Sequence, residues 1–530
     1  MSKSTISFYF SHDASVTISP YDGVYRVYEM ERLTGKRYYS LTADPLMDEI
    51  LKNLKNIILK DYPKIKFKDA RIVKSSPWGH LVERNSISRI FGVKETSIYE
   101  VGHHLAHAAG AVHCSPFKES LIISYDGGGF DEDNTCSTFN IFHYKSEGNE
   151  YKRILSKPID LGNAYACIAT SIKEIKKGNY LSYSGKLMGL CAYGKVVPNW
   201  VPHFIKYYND MFFQDEFLPK LLQNLGDNIG VEDLHKPDSI HGNTSYDIAA
   251  TSQHAFEEIV MSIVLPYIKS YDLPVCITGG CALNVLFNES LRKTIKQEVF
   301  VPPNPSDCGL SFGGLVYECP PKERINITYS GFNILDLDIL PHYVNKYGAS
   351  KIGTKGIAKL VSSGKIIGIA RGLSECGPRA LGNRSIICDP SIADMKDTLN
   401  RRVKFREWFR PFAPIVRESD VNKYFETEKS SEFMSFAPQV RKDWALKVPS
   451  VTHEDGTSRV QTVSREQNSY IYDILDELEK LYKIPMILNT SFNILGKPIL
   501  TTVKESIEIL ETTEIDCIII EDYLFNKIKH

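Results

Sequence analysis

Two histidines four residues apart are the first feature of this sequence that could do chemistry. His103 and His107 lie in a run of Gly-His-His-Leu-Ala-His-Ala-Ala, and residues four apart project from the same face of a helix. Two imidazoles placed in this way can bind one divalent transition metal. The alternative is that both are structural histidines, and the additional His104 could support the site or only pack.

Two carboxylates extend this pair to a possible set of four ligands. Asp126 follows the predicted strand 121–125 and precedes three glycines, whose bare backbone can approach phosphate oxygens. Asp307 lies in a Pro-rich corner ahead of a predicted helix, where it would be a fourth ligand or an N-cap. Two imidazoles with two carboxylates suit Fe, Mn or Zn better than Mg or Ca.

His12, in the turn after the first predicted strand, is a candidate general base because the pKa of an ordinary imidazole is near neutrality. Its neighbours Asp13 and Ser15 could equally cap backbone amides of a plain turn.

Glycine turns and nearby cations predict phosphate binding. Backbone amides at the start of a helix favour anions, and such turns around a metal carboxylate resemble the nucleotide cleft of actin and hexokinase. Each cation has the alternative of a solvated surface position. The candidate nucleotide-binding residues of the first half are Lys36, Arg37, Gly127, Gly128, Lys186, Gly279, Gly280 and Asn284.

Positive charge is dense in four short segments of the second half. Arginine forks and a lysine suit a ligand with several anionic oxygens, such as an acyl phosphate with a triphosphate, and Asn or Ser can orient an amide-like group. A solvated basic face is one alternative, and stacking on single-stranded nucleic acid is another. The candidate residues are Arg379, Arg384, Lys404, Arg410, Thr452, His453, Arg459, Asn489, Ser491 and Asn493.

Strands that alternate with helices must position these groups, which predicts an α/β protein. A Pro-, Gly- and Asn-rich stretch at 320–338 interrupts the alternation, and we place the connection between two domains there. No internal repeat is visible in the sequence.

The composition limits the class of function. Across 530 residues, 63 basic and 64 acidic side chains nearly cancel, so no overall charge attracts nucleic acid or a membrane. No apolar run predicts a membrane span or a signal peptide, and eleven scattered cysteines predict reduced thiols in the cytoplasm. We expect a cytoplasmic enzyme that acts on a small molecule, with a homodimer as a possible assembly.

These motifs together resemble the O-carbamoyltransferases that decorate antibiotics, nodulation factors and related natural products. The similarity runs from His12-Asp13-Ala14-Ser15 to Asn489-Thr490-Ser491-Phe492-Asn493 and so covers nearly the whole chain. Its most specific parts are 377–385, 406–414 and 452–463. Cys376, Gly35 and the 9–12 segment depart from the usual pattern, which puts the identity of the acceptor in question more than the chemistry.

The resemblance implies two α/β domains. Residues 1–325 would form an actin/hexokinase-like (ASKHA) domain related to the ATPase of tRNA threonylcarbamoylation. After a linker at 326–350, residues 351–530 would form a YrdC-like domain with the twisted α/β fold of threonylcarbamoyl-adenylate synthases.

The resemblance also implies a two-step reaction. The C-terminal site would make carbamoyl adenylate from carbamoyl phosphate and ATP, which brings Mg, and the N-terminal metal site, preferably with Fe, would pass the carbamoyl group to a hydroxyl of a sugar, natural product or nucleoside. By position, His103, His107, Asp126 and Asp307 fall on the metal ligands. Arg379, Lys404, Arg410, Arg459, Asn489 and Ser491 fall on the carbamoyl-phosphate and adenylate pocket, and Lys36 or Arg37 on a nucleotide contact. The predicted catalytic residues are His12, Arg379, Lys404 and Arg459.

Three competing hypotheses remain from the sequence. A metallohydrolase would leave the basic segments of the second half without a role, and a tRNA-modifying threonylcarbamoylation factor would need a basic surface. A non-enzymatic, nucleotide-gated binding module would bind nucleotide without any dependence on carbamoyl phosphate.

Overall fold

The strands of the protein were located in a computed structural model that describes residues 4–42, 44–76, 81–131, 135–212, 218–482, 484–494 and 496–527. In the first half they are β1 Thr5–Tyr9, β2 Ser15–Ser19, β3 Arg26–Glu29, β4 Arg71–Ser75, β5 Ile98–Val101, β6 Glu119–Phe130, β7 Cys136–Lys145, β8 Glu150–Lys157, β9 Val275–Thr278 and β10 Val299–Phe300. In the second half they are β11 Ser350–Lys351, β12 Ile367–Ala370, β13 Arg384–Cys388, β14 Ala413–Arg417, β15 Gln461–Val463, β16 Met486–Ser491, β17 Cys517–Ile520 and β18 Tyr523–Asn526.

Helices cover the sheets. In the first half they are α1 Met30–Thr34, α2 Met47–Asp61, α3 Leu81–Phe91, α4 His103–Cys114, α5 Leu161–Ser171, α6 Tyr183–Leu190, α7 Val201–Asp210, α8 Leu218–Ile229, α9 Asn243–Tyr271, α10 Val285–Thr294 and α11 Leu310–Glu318. They continue with α12 Leu340–Tyr347, α13 Thr354–Ser362, α14 Met395–Thr398, α15 Val421–Tyr424, α16 Lys442–Ala445, α17 Ser469–Tyr482 and α18 Val503–Thr512. This mixture confirms the predicted α/β class.

The first half contains a structural repeat. One sheet has the order β3-β2-β1-β4-β5 and a second has the order β10-β9-β6-β7-β8. In each, the first strand in sequence pairs antiparallel with the next and parallel with a later one, so β6, β7, β8, β9 and β10 correspond to β1, β2, β3, β4 and β5. The sequence showed no repeat, yet the fold has one.

The second half is built on one eight-stranded mixed sheet with the order β11-β18-β17-β12-β13-β16-β14-β15. Its side chains alternate between two apolar clusters. Ile367 and Ile369 pack in one cluster with α13 and α17, whereas Ala370 belongs to the cluster on the other face. Because both faces are apolar, helices and loops must cover both. Helix α12 lies inside the predicted linker 326–350, and its Leu340 packs against this sheet.

Helices α4 and α11 hold corresponding places in the repeat, each following the last parallel strand of its sheet, and they pack directly on each other. The contact uses glycine. A Cβ built on Gly313 would lie 1.9 Å from the carbonyl oxygen of Ala106, and one built on Gly314 would lie 2.0 Å from Ser75 Oγ. Small residues therefore bring the first turns of both helices close together.

Most predicted elements are present with shifted ends. The largest departure is β6, which continues through the Asp-Gly-Gly-Gly run with a register shift between Tyr125 and Gly129, where a turn after residue 125 was expected. Strand β2 was also missed. Among the described residues, no helix combines the length and the apolar character that crossing a membrane requires.

The glycine contact leads to a stability prediction. Gly313→Ala should lower the free energy of unfolding by about 3 kcal/mol or more, because the added methyl overlaps the backbone of α4. Gly185→Ala is the matched control, since Gly185 is also helical and has open space around it; it should be neutral or stabilising by up to about 1 kcal/mol. Urea unfolding of both variants measures the difference, and equal midpoints would contradict the assigned close contact.

Candidate metal centre and cation-lined cavity

The structure brings the four predicted metal ligands together. His103, His107, Asp126 and Asp307 each offer one ligand atom, and these atoms all lie within 4.8 Å of one another. His103 Nε2 is 2.9 Å from Asp126 Oδ2, and His107 Nε2 lies 3.1 Å from the same oxygen and 3.4 Å from Asp307 Oδ1. All four side chains are buried.

The repeat explains this meeting point. His103 is the first residue of α4, and Asp307 begins the one-turn helix Asp307–Gly309 that leads into α11. Asp126 comes from β6, the first strand of the second sheet. A Cβ on Gly129 would lie 2.1 Å from the ring of His103, so the glycine run in β6 is needed to make room for this imidazole. Asp307 is not a helix cap, since its carboxylate points into the cluster.

The donor set fits a divalent transition metal. His107 Nε2 is buried and makes no hydrogen bond, although a buried polar atom normally has a partner. Two imidazole nitrogens and two carboxylates within reach of one point are a common ligand set for Fe, Mn and Zn. The carboxylates also raise the pKa of His107 to about 9, against the effect of its burial.

Neighbouring groups orient the ligands. Tyr9 at the end of β1 donates a 2.7 Å hydrogen bond to Asp307 Oδ2. His104 lies beside the ligands, with its ring nitrogens 2.8 Å from Ser124 Oγ and 2.8 Å from the Ser137 carbonyl and its Nε2 3.7 Å from Asp126 Oδ1. Burial lowers the pKa of His104 to about 4. His104 is therefore a neutral supporting residue and not a ligand.

His12 borders the cluster from the open side. Its Nε2 is 3.6 Å from Asp307 Oδ2, and its Nδ1 is 3.2 Å from Asp13 Oδ2. The side chain is 45% exposed, so it faces the cavity and can touch a bound molecule. Burial of the ring opposes protonation, but the two aspartates outweigh it and raise the pKa of His12 to about 9.

Lys396 lines the cavity 2.7 Å from the Tyr193 hydroxyl. Six other cationic groups, one from the first half of the chain and five from the second, form a cluster on the cavity wall. They are Arg37, Arg379, Lys404, Arg406, Arg410 and Arg459. Among these groups, as far as the structure describes the chain, only Arg410 forms an ion pair, at 3.3 Å from Glu407. Lys404 Nζ instead donates to the carbonyl oxygens of Ser491 and Asn493, at 2.7 and 2.9 Å.

The electrostatics of this cation cluster call for an anion. Burial and the neighbouring Arg410 lower the pKa of Arg379 to about 10. Burial and the nearby arginines also hold the pKa values of Lys404 and Arg459 well below their ordinary range, and the buried Arg459 Nε has no partner. With Glu407 as the one carboxylate paired to it among the described residues, this cluster of like charges is destabilising unless an anionic ligand neutralises it.

Two buried carboxylates hold the loop that carries Arg379. Glu375 accepts hydrogen bonds from the backbone amides of Leu381, Asn383 and Arg384, at 2.7, 2.8 and 3.1 Å. Across from it, Glu29 accepts from the amide of Gly377 at 2.6 Å.

Arg32 completes this link between the two halves of the chain. Its Nε lies 2.6 Å from Glu29 Oε2, and its terminal nitrogens donate to the carbonyls of Glu375 and Gly377, at 2.6 and 2.7 Å. Both charged side chains are buried. The pair and its backbone bonds therefore join α1 to the start of the Arg379 loop.

A single cavity of about 740 Å³ connects the metal-ligand cluster with the cation cluster. His12, His103, Asp126 and Asp307 lie on its wall together with Arg379 and Arg459. A molecule bound among the cations thus shares one cavity with the metal-ligand cluster.

Most predicted binding residues line this cavity, but five do not. Gly127, Gly128, Gly280, Asn284, His453, Asn489, Ser491 and Asn493 are on the wall, and Arg37 is there in place of its neighbour Lys36. Lys36, Lys186, Gly279, Arg384 and Thr452 are not on the wall, and neither is His104.

The outlying residues have structural contacts instead. Arg384 is fully buried and donates to the carbonyls of Arg371, Gly372 and Asn383. Lys186 lies 3.0 Å from Glu407, while Thr452 bonds to the carbonyl of Val448 at 3.0 Å.

The other two predicted residues that are not on the cavity wall, Lys36 and Gly279, also have structural roles. Lys36 packs its ammonium over the Tyr39 ring. A Cβ on Gly279 would lie 2.2 Å from the Tyr125 carbonyl, so this glycine permits a close backbone crossing.

Sequence reasoning missed Tyr9, Glu29, Arg32 and Arg406 as site residues. Arg406 lies in a segment already recognised as basic, so its charge was a usable signal. Tyr9 and Glu29 are ordinary strand residues in the sequence, and only their long-range partners, Asp307 and Gly377, reveal their roles.

Comparison with known proteins identifies the family. The family model described as Carbamoyltransferase N-terminus matches residues 21–316, and the one described as Carbamoyltransferase C-terminus matches residues 358–527. Since the first model alone matches more than half of the chain, the chain belongs to the carbamoyltransferase family. It is an enzyme, a transferase of carbamoyl groups.

Individual proteins are also similar to this chain. Nodulation protein NolNO of Sinorhizobium fredii is 32% identical over 475 residues, which cover 84% of this chain and 67% of the relative. Nodulation protein NolO of Bradyrhizobium diazoefficiens is 30% identical over 453 residues, covering 81% and 79%. Among solved structures, HypF of T. kodakarensis aligns with 60% of this chain and 47% of its own, at 13% identity and a TM-score of 0.36.

The metal-ligand cluster gives a binding prediction. Asp126→Asn should abolish tight binding of Fe, Mn or Zn, and Tyr9→Phe should weaken it about 10- to 100-fold, because Tyr9 orients a ligating carboxylate. Calorimetric titration and elemental analysis of the purified variants measure this. His143→Gln is the control, since His143 bonds to Glu119 away from the cluster. Equal metal affinity in Asp126→Asn and in the unaltered protein would contradict the assignment.

The link between the halves gives a stability prediction. Arg32→Ala leaves Glu29 as a buried charge without its partner and should cost about 3–5 kcal/mol of unfolding free energy. Arg402→Ala is the matched control, because Arg402 pairs with Glu514 on the surface at 60% exposure, where a pair contributes about 1 kcal/mol or less. Chemical unfolding compares the two, and a small loss in Arg32→Ala would contradict the role assigned to the link.

Proposed function

We propose that this carbamoyltransferase works in two steps at the two ends of its cavity. The cation cluster binds carbamoyl phosphate and ATP and forms carbamoyl adenylate, and the metal-ligand cluster is where the carbamoyl group passes to an acceptor hydroxyl. The observation that carries the proposal is the single cavity that holds both clusters. We also propose that the two steps belong to two domains, residues 1–325 and 351–530, as predicted from the sequence.

The first step is supported by the charge of its site. Joining the carbamoyl group to the α-phosphate of ATP consumes carbamoyl phosphate and water and releases phosphate and pyrophosphate. Every reactant but water is anionic, and the cationic groups outnumber the nearby carboxylates. Arg379 and Arg459 are the groups that can hold phosphate oxygens in two-pronged contacts, and Lys404 is held by Ser491 and Asn493 as a fixed point charge.

Loop geometry supports the roles of the arginines. A phosphate contact is useful for catalysis only when its position is fixed before the reactants arrive. Glu375 and Glu29 fix the backbone on both sides of Arg379. Arg37 reaches the same cavity from the first half, so both halves contribute to anion binding. Magnesium would accompany ATP as part of the substrate.

The second step is supported by the residues around the metal-ligand cluster. A divalent cation, Fe by preference, held by His103, His107, Asp126 and Asp307 would supply Lewis acidity to polarise a carbonyl or a hydroxyl oxygen. His12 lies on the open side of this cluster, where it can contact the acceptor hydroxyl and take part in the transfer of its proton. The half-buried Gly127 and Gly128 on the cavity wall let a substrate approach the backbone at the same place.

The two-step carbamoyl transfer gives a role to more residues of the site than any competing hypothesis does. Water activation by a metallohydrolase would leave the cation cluster without a substrate. A nucleotide-gated binding module would not need a carbamoyl-phosphate site, whereas the family is one of carbamoyltransferases. The acceptor is proposed to be a small molecule with a free hydroxyl, in the cytoplasm.

Separate assays of the two steps test the proposal. Arg459→Ala should reduce carbamoyl-phosphate-dependent release of pyrophosphate from ATP at least about 100-fold, because it removes a preorganised charge. Asp126→Ala should retain this release but lose carbamoyl transfer. Pyrophosphate release is measured without any acceptor, and transfer is measured as radiolabelled product from carbamoyl phosphate.

Arg402→Ala serves as a surface control in both assays and should behave like the unaltered enzyme. If Arg459→Ala and Asp126→Ala lose both activities to the same extent, the two-step assignment is wrong. If pyrophosphate release never depends on carbamoyl phosphate, the adenylating step is wrong.

A further inference from the structure

A buried ion pair lines the cavity and belongs to neither the metal-ligand cluster nor the cation cluster. Lys74 lies near the end of β4 and Glu83 lies in α3, with Lys74 Nζ 3.3 Å from Glu83 Oε2. Each side chain is only 2% exposed, yet both are on the cavity wall. Nothing in the two-step reaction described above uses this pair.

The pair keeps unused capacity for hydrogen bonds. Glu83 Oε1 accepts from Thr42 Oγ1 at 2.8 Å, but among the described residues Oε2 has no hydrogen-bond donor. Lys74 Nζ donates one long bond of 3.2 Å to the Ser76 carbonyl, and its other carboxylate neighbour, Glu100, is 4.0 Å away. Burying two charges is costly unless their remaining donors and acceptors are satisfied. A purely structural pair would be expected to satisfy them within the protein.

Its place in the fold is one where ligands bind. Strands β1 and β4 run parallel with Phe8 beside Lys74, and both end at the cavity. Ligands of α/β proteins commonly lie beyond the carboxyl ends of such strands. One residue after Phe8, Tyr9 contacts Asp307, so the pair lies next to the metal-ligand cluster in the sheet.

The backbone at Ser76 supports the same conclusion. Ser76 has a φ of +66°, a left-handed conformation that is uncommon for a residue other than glycine. The residue lines the cavity, and its carbonyl oxygen is the acceptor of the Lys74 bond. Strained conformations of this kind cluster at binding sites, where the surrounding structure maintains them.

We infer that Lys74 and Glu83 form the subsite that recognises a second polar group of the acceptor, beyond the hydroxyl that is carbamoylated. A hydroxyl there can donate to Glu83 Oε2 and accept from Lys74 Nζ, which satisfies both atoms at once. Because the pair has no net charge, it favours a neutral compound with several hydroxyl groups. The inference rests on the proposed function, which places the acceptor beside His12.

The two ends of the cavity thus differ in the ligands they select. The cation cluster attracts polyanions. The Lys74–Glu83 pair has no net charge and does not attract polyanions, but it offers one hydrogen-bond donor and one acceptor. An acceptor that spans from His12 to this pair must carry at least two polar groups. A simple alcohol would reach the reactive position but leave the buried pair unsatisfied, which disfavours its binding.

Simple alcohols and polyols provide the test. D-glucose and glycerol are the probes with several hydroxyls, and 1-propanol is the probe with one. The unaltered enzyme should carbamoylate the polyols with a kcat/KM at least about tenfold above that of 1-propanol, measured with radiolabelled carbamoyl phosphate. Glu83→Gln should raise the KM for the polyols at least about tenfold and leave 1-propanol unchanged, a split that a general loss of structure would not give.

Two further variants keep the test decisive. The double variant Lys74→Met with Glu83→Leu removes the subsite and leaves no unpaired charge buried in the protein. It should abolish the preference for polyols. Arg84→Gln is the control, since Arg84 pairs with Glu100 at 2.8 Å and is not on the cavity wall; it should keep the preference.

Equal rates for polyols and 1-propanol in the unaltered enzyme would overturn the inference, and so would a preference that survives in the double variant. Calorimetric binding of D-glucose, weakened in the double variant, tests the subsite without any catalysis. If the unaltered enzyme showed no carbamoyl-phosphate-dependent release of pyrophosphate, that result would instead count against the proposed function. The two failures are therefore distinguishable.

Discussion

The close contact between α4 and α11 is the constraint on which the metal-ligand cluster depends. Gly313 lies against the Ala106 carbonyl, and no larger side chain fits there. Because the two helices approach so closely, their first turns converge, and His103, His107 and Asp307 come within reach of one point. The cluster is thus a product of backbone packing, and its ligands need no long or flexible side chains.

The structural repeat of the first half explains why the residues of the metal-ligand cluster meet at one place. Each sheet contributes its first strand and the helix that follows its last parallel strand, so four corresponding elements meet at one place. The two copies are used differently, since β6 supplies the ligand Asp126 while β1 supplies Tyr9, which only orients Asp307. A duplicated framework has therefore become asymmetric in its chemistry without any change of strand order.

At the other end of the cavity the constraint is electrostatic. Six cationic groups lie together with one ion pair to Glu407, and their mutual repulsion has to be opposed by the fold. Two buried carboxylates oppose it indirectly. Glu29 and Glu375 bind backbone amides of the Arg379 loop rather than the Arg379 guanidinium, which holds the loop in place and leaves the positive charge available to a ligand.

Much of the site could be predicted because its signals are local. The spacing of His103 and His107, the glycines after Asp126 and the framed arginines are all visible within short segments, and the α/β alternation follows from periodicity. Partners far apart in sequence could not be predicted in this way. Arg384 looks like its neighbour Arg379 in the sequence, but its strand position turns it into the core, where its terminal nitrogens donate to backbone carbonyls. The continuation of β6 through its glycines depends likewise on pairing with β7.

The link made by Glu29 and Arg32 bears on how such enzymes can diversify. A chain of two halves invites the exchange of one half for that of a relative, as a route to new products. Here the bonds from α1 to the backbone of residues 375–377 cross the boundary, so a transplanted second half arrives without the groups that hold its arginine loop. Recombination between relatives would succeed only when this small buried contact travels with the exchanged half or is rebuilt on the host side.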